Sequence, residues 1–203
     1  YITNTNKAQF TFQRNPISGI APNATGTTTI TDGNWHYLAG TYDGANLKIY
    51  VDGVLEATTA DASVPMTGAN PLYLGTSAGP NKYNGSMDEI SVWNTALTPA
   101  QITALIGQQL AGNEANLVAY YNFDGNTGSG QAQTIPNLCT ATGAALNAIT
   151  AGTITTPQFT CSEIPVNDPQ CAILLNGYAD AVTAVNGVND FTYPAITQNF
   201  TME

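Results

Sequence analysis

Between Trp35 and Trp93 the chain repeats one local pattern, a short run rich in aromatic and β-branched residues closed by a turn signal. The runs are Trp35-His36-Tyr37-Leu38-Ala39-Gly40-Thr41-Tyr42, Leu47-Lys48-Ile49-Tyr50-Val51, Leu72-Tyr73-Leu74-Gly75 and Gly85-Ser86-Met87-Asp88-Glu89-Ile90-Ser91-Val92-Trp93. Runs this short and this regularly punctuated predict consecutive antiparallel strands. Asp43-Gly44-Ala45-Asn46 and Asp52-Gly53 are the hairpin signals, because Asp-Gly tolerates the positive φ of a tight turn; the second leads into a strand over 54–58. Period-two geometry puts Leu47, Ile49 and Val51 on one face and Lys48 and Tyr50 on the other, which predicts a core face and a wetter face.

The order of these runs, followed by Asn94, Ala96, Leu97 and Thr98, resembles the laminin G-like branch of the concanavalin A-like jelly rolls. The resemblance covers residues 1–125 and implies an all-β fold, a two-sheet antiparallel jelly-roll sandwich with one short helix. The family's opening strands do not precede Tyr1. The pattern of residues 172–182, and again of 199–203, is similar to the family's opening motif and second strand, so the chain reads as beginning inside one laminin G-like repeat and ending inside the next.

Composition sets outer limits. With 203 residues, 43% hydrophobic and 9% charged, the chain has material for one good core and part of a second. A formal charge of -10 leaves Lys7, Arg14, Lys48 and Lys82 as the full set of Lys and Arg side chains, which argues against nucleic acid or an anionic membrane as partner. No stretch is apolar for long enough to span a membrane and no secretory signal opens the chain, so it reads as mature or excised. A Thr/Asn/Gly/Ala-rich, Lys-poor composition is that of an exported, cell-surface protein.

In chain order, 2–12 is an expected strand with Phe10 and Phe12 on one face, 17–26 is turn-rich, and 27–31 is an edge-like strand. Residues 59–71 form a long irregular stretch of the kind that carries binding surfaces. A helix is expected over 99–110: Thr98 is the N-cap, Pro99 tolerates the first helical position, Gln101 completes a capping box, and Gly112 ends it. It is expected to cover one mouth of the sandwich. A strand over 117–123 closes the jelly roll. Residues 126–170, broken throughout by Gly and Pro, read as a braced connector, and 171–203 as the opening strands of a following repeat.

The chemistry these residues support is mostly binding. His36, the sole histidine, sits mid-strand and reads as a structural imidazole. Asp88 and Glu89 are adjacent, so strict alternation sends them to opposite faces, unlike the paired carboxylates that flank a glycosidic bond. No phosphate-binding loop is present. A non-catalytic reading follows: an extracellular adhesin repeat binding glycans or proteins, with Tyr42, Tyr73, Tyr83 and Trp93 as candidate stacking groups, or a structural repeat whose role is length and stiffness. A carbohydrate-binding accessory module of a secreted polysaccharide-degrading enzyme is the alternative. The resemblance implies a structural Ca²⁺ at Asp88 with help from Asp180, against the alternative of a solvated or backbone-capping Asp88; Asn176 stands where the family more often has Asp. Cys139 and Cys161 bracket a loop whose closure is worth about 3 kcal/mol in the chain-entropy model, so they are expected to be bonded, with Cys171 free or paired outside the chain. Finally, 172–203 is expected to dock as strands on a laminin G-like sheet, in a neighbouring repeat or copy, or by folding back on its own domain.

Overall fold

The computed structural model describes residues 1–15, 19–66, 72–75, 83–124, 128–129, 134–152, 158–160, 172–175, 180–184 and 196–202. The strands are β1 (Lys7–Thr11), β2 (Arg14–Asn15), β3 (Asn23–Thr29), β4 (His36–Tyr42), β5 (Asn46–Val51), β6 (Val54–Ala60), β7 (Val64–Pro65), β8 (Tyr73–Leu74) and β9 (Gly85–Trp93). After helix α1 (Pro99–Leu105) come β10 (Leu117–Tyr121), β11 (Gly128–Ser129), β12 (Thr134–Ile135), β13 (Ala148–Gly152), β14 (Gln158–Thr160), β15 (Ala172–Leu175), β16 (Asp180–Ala184) and β17 (Ile196–Met202).

Among the described residues every strand pairing is antiparallel. The main sheet runs β11-β14-β15-β9-β17-β4-β5-β6, with β10 also on β9; smaller sheets are β12-β13-β16-β8, β1-β3 and β2-β7. Two clusters fill the space between the main sheet and the smaller ones. Ala8, Ala24 and Ile30 pack with Leu38, Tyr42, Leu47, Ile49 and Val51. Leu74, Ile135, Leu146 and Ala148 pack with Met87, Ile90, Val92, Val118 and Tyr121. This is the antiparallel sandwich that the hairpin series implies.

Local signals set the turns. Asp52 and Gly53 both hold positive φ, 52° and 81°, and join β5 to β6 as a tight hairpin. Asp43 Oδ1 accepts the N–H groups of Ala45 and Asn46 at 3.0 and 2.7 Å, holding the preceding hairpin. The capping box at α1 is complete: Thr98 Oγ1 accepts from Gln101 N, and Gln101 Oε1 accepts from Thr98 N.

The expected wetter face is covered at Tyr50, while Lys48 stays partly exposed beside Asp43. Every residue of β4 is buried, and Tyr50 on β5 is 2% exposed. The cover is α1, which lies on the outer face of the main sheet rather than over a mouth of the sandwich: Ile102 packs with Tyr37, Ala39, Tyr50, Trp93, Leu117 and Tyr120. The helix is shorter than the sequence pattern suggests. It ends at Leu105, with Gly107 at φ 66° beyond it. Gly112 has a different use: a Cβ there would sit 2.1 Å from Leu138 O, so its missing side chain lets residues 138–140 dock, with Thr140 N donating to Gly112 O at 2.7 Å.

Part of the stretch read as a connector is built into the core. Ile135 and Ala148 are fully buried, and buried Asn137 pins the segment, its Oδ1 accepting from Tyr120 N at 2.9 Å and Cys139 N at 3.2 Å. A Gly- and Pro-rich composition hides strands of two to five residues, because they are too short to show a period.

Within the single chain the C-terminal segment takes the fold-back arrangement. Strand β17 inserts between β4 and β9, pairing from Ile196↔Tyr42 to Met202↔His36 on one side and from Thr197↔Trp93 to Met202↔Met87 on the other. Strand β15 pairs with β9, and β16 joins β13 to β8. Tethering explains the choice of acceptor, since a strand on the same chain is present at a far higher effective concentration than one on another molecule.

Candidate functional site

Strand β9 carries an extra residue at its middle. From Asn199 to Thr201 β17 advances two residues while its partners on β9 run from Ser91 to Asp88, and Glu89 holds φ 51°. The bulge breaks the alternation on which the sequence-based separation of Asp88 from Glu89 rested. Met87 and Ile90 both reach the inner cluster although they are three residues apart, so the residue inserted between them changes where the carboxylates go. Both act on one phenol, Tyr120.

Tyr120 is fully buried; its hydroxyl donates to Glu89 Oε2 at 2.6 Å and accepts from Leu110 N at 3.2 Å. Burial pushes its pKa far up, and the charge of Glu89, its hydrogen bond to Glu89 and the charge of Asp88 add to the rise. Tyr37 is raised by burial and then by the same Glu89 charge. Asp88 is 0% exposed, with Oδ1 accepting the Glu89 N–H at 2.9 Å. A carboxylate sunk this deep does not meet a glycan chain at the surface; its described partners are structural. Replacing Tyr120 with Phe keeps the shape and removes the hydroxyl, leaving the Leu110 N–H and the Glu89 oxygen without it. Loss of a hydrogen bond to a charged group predicts a destabilisation of about 1.5–3 kcal/mol, measured by urea unfolding.

A second cluster surrounds His36, which is 8% exposed at the start of β4. Its Nδ1 lies 2.8 Å from Asp52 Oδ2 and its Nε2 3.1 Å from Asp32 Oδ1. Asp52 is itself fixed, with Oδ1 accepting Tyr37 N at 2.8 Å and its own N–H donating to Tyr37 O at 2.8 Å. Asp32 accepts the Asn34 N–H and side-chain amide, each at 2.9 Å; these hold its pKa at about 2, with His36 adding to the effect. Burial works against the imidazolium, but the hydrogen bonds and charges of Asp52 and Asp32 outweigh it and raise the His36 pKa above its ordinary value. The two carboxylate partners of His36 lie 4 and 16 residues away in the sequence.

The other expected site residues are scattered. Tyr42 and Trp93 are core residues, 2% and 4% exposed, and not surface stacking groups. Tyr42 packs on Phe12 with ring centroids 4.7 Å apart and donates to Ser63 O, while Trp93 Nε1 donates to Ser91 Oγ. Tyr73 and Tyr83 are half-buried, and Tyr83 donates to Ser86 O at 3.0 Å. Asp88 lies on β9 of the main sheet and Asp180 begins β16 of a smaller one, the Asp180 side chain being outside the described residues. Among the described residues no group of three or more His, Cys, Asp or Glu is placed to hold a metal ion, so they do not by themselves supply the oxygen set a Ca²⁺ takes. Cys139 is a buried free thiol donating to Leu117 O at 3.3 Å; its expected partner Cys161 lies outside the described residues, as does Cys171. Cys139 packs with Trp93, Leu97 and Leu117 as a small apolar side chain. Tyr120, Tyr37, Asp32 and Asp52 were missed as site residues, and no local sequence signal marks the bulge that brings the first two to Glu89.

The laminin G model of the concanavalin A-like lectin/glucanases superfamily matches residues 1–103, just over half of the 203-residue chain. The chain belongs to this superfamily. Two curated proteins are similar over part of the chain: pappalysin-1 of Homo sapiens, 39% identical over 75 residues, and pappalysin-1 of Mus musculus, 35% identical over 77 residues. These matches take 34% and 36% of this chain and 5% of each relative, so they speak for a shared module and not for the activity of the whole relative. No solved structure matches the chain. Laminin G-like domains are typically extracellular and generally non-catalytic. Among the described residues no helix is long and apolar enough to cross a membrane.

Proposed function

We propose that this chain is a non-catalytic, extracellular repeat module of a surface adhesin or filament, binding glycan or protein partners and linked to neighbouring units by strand complementation. The observation that carries the reading is β17. A strand from the far end of the chain, more than a hundred residues after β9, fills the groove between β4 and β9. A sheet that accepts a distant strand in this way can accept the equivalent strand of a neighbouring unit wherever the two are held close together. Tyr73 and Tyr83, both half-buried, are the aromatic side chains of the four retained for ligand contact, Tyr83 while also packing against both inner clusters.

Titration with a panel of soluble polysaccharides tests the binding half. Saturable binding that Tyr73→Ala and Tyr83→Ala weaken supports a glycan-binding adhesin, whereas no saturable signal with any member leaves a pure spacer. Calcium at Asp88 belongs to the same proposal, on the strength of the family resemblance: excess chelator should lower the melting temperature, and an unchanged value removes the cation from the reading.

A further inference from the structure

We infer that His36 is a pH-operated clamp: as an imidazolium it ties the Asp32 turn to the Asp52 hairpin, and on losing its proton it releases the turn at residues 32–34. The inference goes beyond the adhesin reading and does not depend on it. Its ground is geometry, since the two carboxylates face opposite ring nitrogens at 2.8 and 3.1 Å. An imidazolium has an N–H for each. A neutral imidazole has one, so the other nitrogen then turns a lone pair toward a carboxylate oxygen and that contact becomes repulsive.

Which arm lets go follows from how each aspartate is held. Asp52 is anchored to the sheet through Tyr37, by its side chain and by its backbone N–H. The described partners of Asp32 besides His36 are the N–H and amide of Asn34, inside its own exposed turn. The turn is therefore the movable member. Among the described residues, the other elements that meet the clamp do so through uncharged residue types: β17 brings Met202 into register with His36, and α1 meets the hairpin at Gly53 through Thr103 and Ile106. Glu203 lies outside the described residues.

The sign of the effect on stability follows. Because the folded-state pKa is raised above 6.5, the clamp's contribution is fully present below that value and is lost as pH rises through the raised pKa. The test is an NMR titration of the full chain from about pH 5 to about pH 9, following the His36 ring and the Asn34 backbone amide. Both should move together with one midpoint above 6.5. Asp32→Asn, an exposed change that leaves the core alone, should bring the His36 midpoint down and uncouple the Asn34 amide from it. The melting temperature of the natural chain should fall across the upper half of that range, and His36→Gln should abolish that fall. A His36 midpoint at or below 6.5, or an Asn34 amide that does not follow the ring, overturns the clamp.

Discussion

Removing residues 196–203 should abolish cooperative unfolding of the sheet domain. Strand β17 is central to the main sheet: seven of its residues pair with β4, and its other edge pairs with β9. Its loss opens two strand edges at once and leaves the buried backbone groups of β4 and β9 without their ladder partners, each such group costing about 1–3 kcal/mol. The sum reaches the whole stability of an ordinary domain, about 5–15 kcal/mol. Circular dichroism melting measures the loss, and a synthetic peptide of residues 196–203 added in excess should restore a transition at a temperature that rises with peptide concentration. A truncated chain that melts as sharply and at the same temperature as the full one defeats strand complementation, in cis and in trans together.

The second large effect is expected at Ile102→Ala. Ile102 is 0% exposed and is the one fully buried residue of α1, set among Tyr37, Tyr50, Trp93, Leu117 and Tyr120. Rigid rings line that site and cannot collapse into the space, so the cost should fall in the range of about 2–5 kcal/mol seen for large-to-small core changes. Urea unfolding should show a lower midpoint with an unchanged slope. The exposed Ala104→Gln on the same helix should shift stability by no more than about 0.5 kcal/mol. If the two variants behave alike, the helix does not seal the outer face.

Much of the sheet was legible before the structure, and for a physical reason. The β4-β5-β6 meander depends on Asp43-Gly44 and Asp52-Gly53 turns whose partners lie a few residues away, and β9 was marked to its last residue by a run of nine residues ending at Trp93. The start of α1 was equally local, a reciprocal bond between Thr98 and Gln101. Its end was not, because a shorter helix and a Gly-mediated approach of Leu138 to Gly112 satisfy the same sequence pattern.

Sequence alone determined the antiparallel class, the hairpins, the capping box and the superfamily, since each rests on turn chemistry or on a run of residues that reads the same in any surroundings. Tertiary structure decided the rest. Period-two alternation says which side of a strand a residue faces but not whether that side is covered, so Tyr50, Tyr42 and Trp93 became core only when α1 and β1-β3 packed on the two faces. The bulge at Glu89, whose carboxylate accepts from the Tyr120 hydroxyl, falls where β17 pairs with β9 out of step. His36 acquired two aspartates because a hairpin and a turn converge on the head of β4. Whether 196–202 complete their own sheet or another is decided by which edge lies within reach of the tether, a distance in space that no local pattern records.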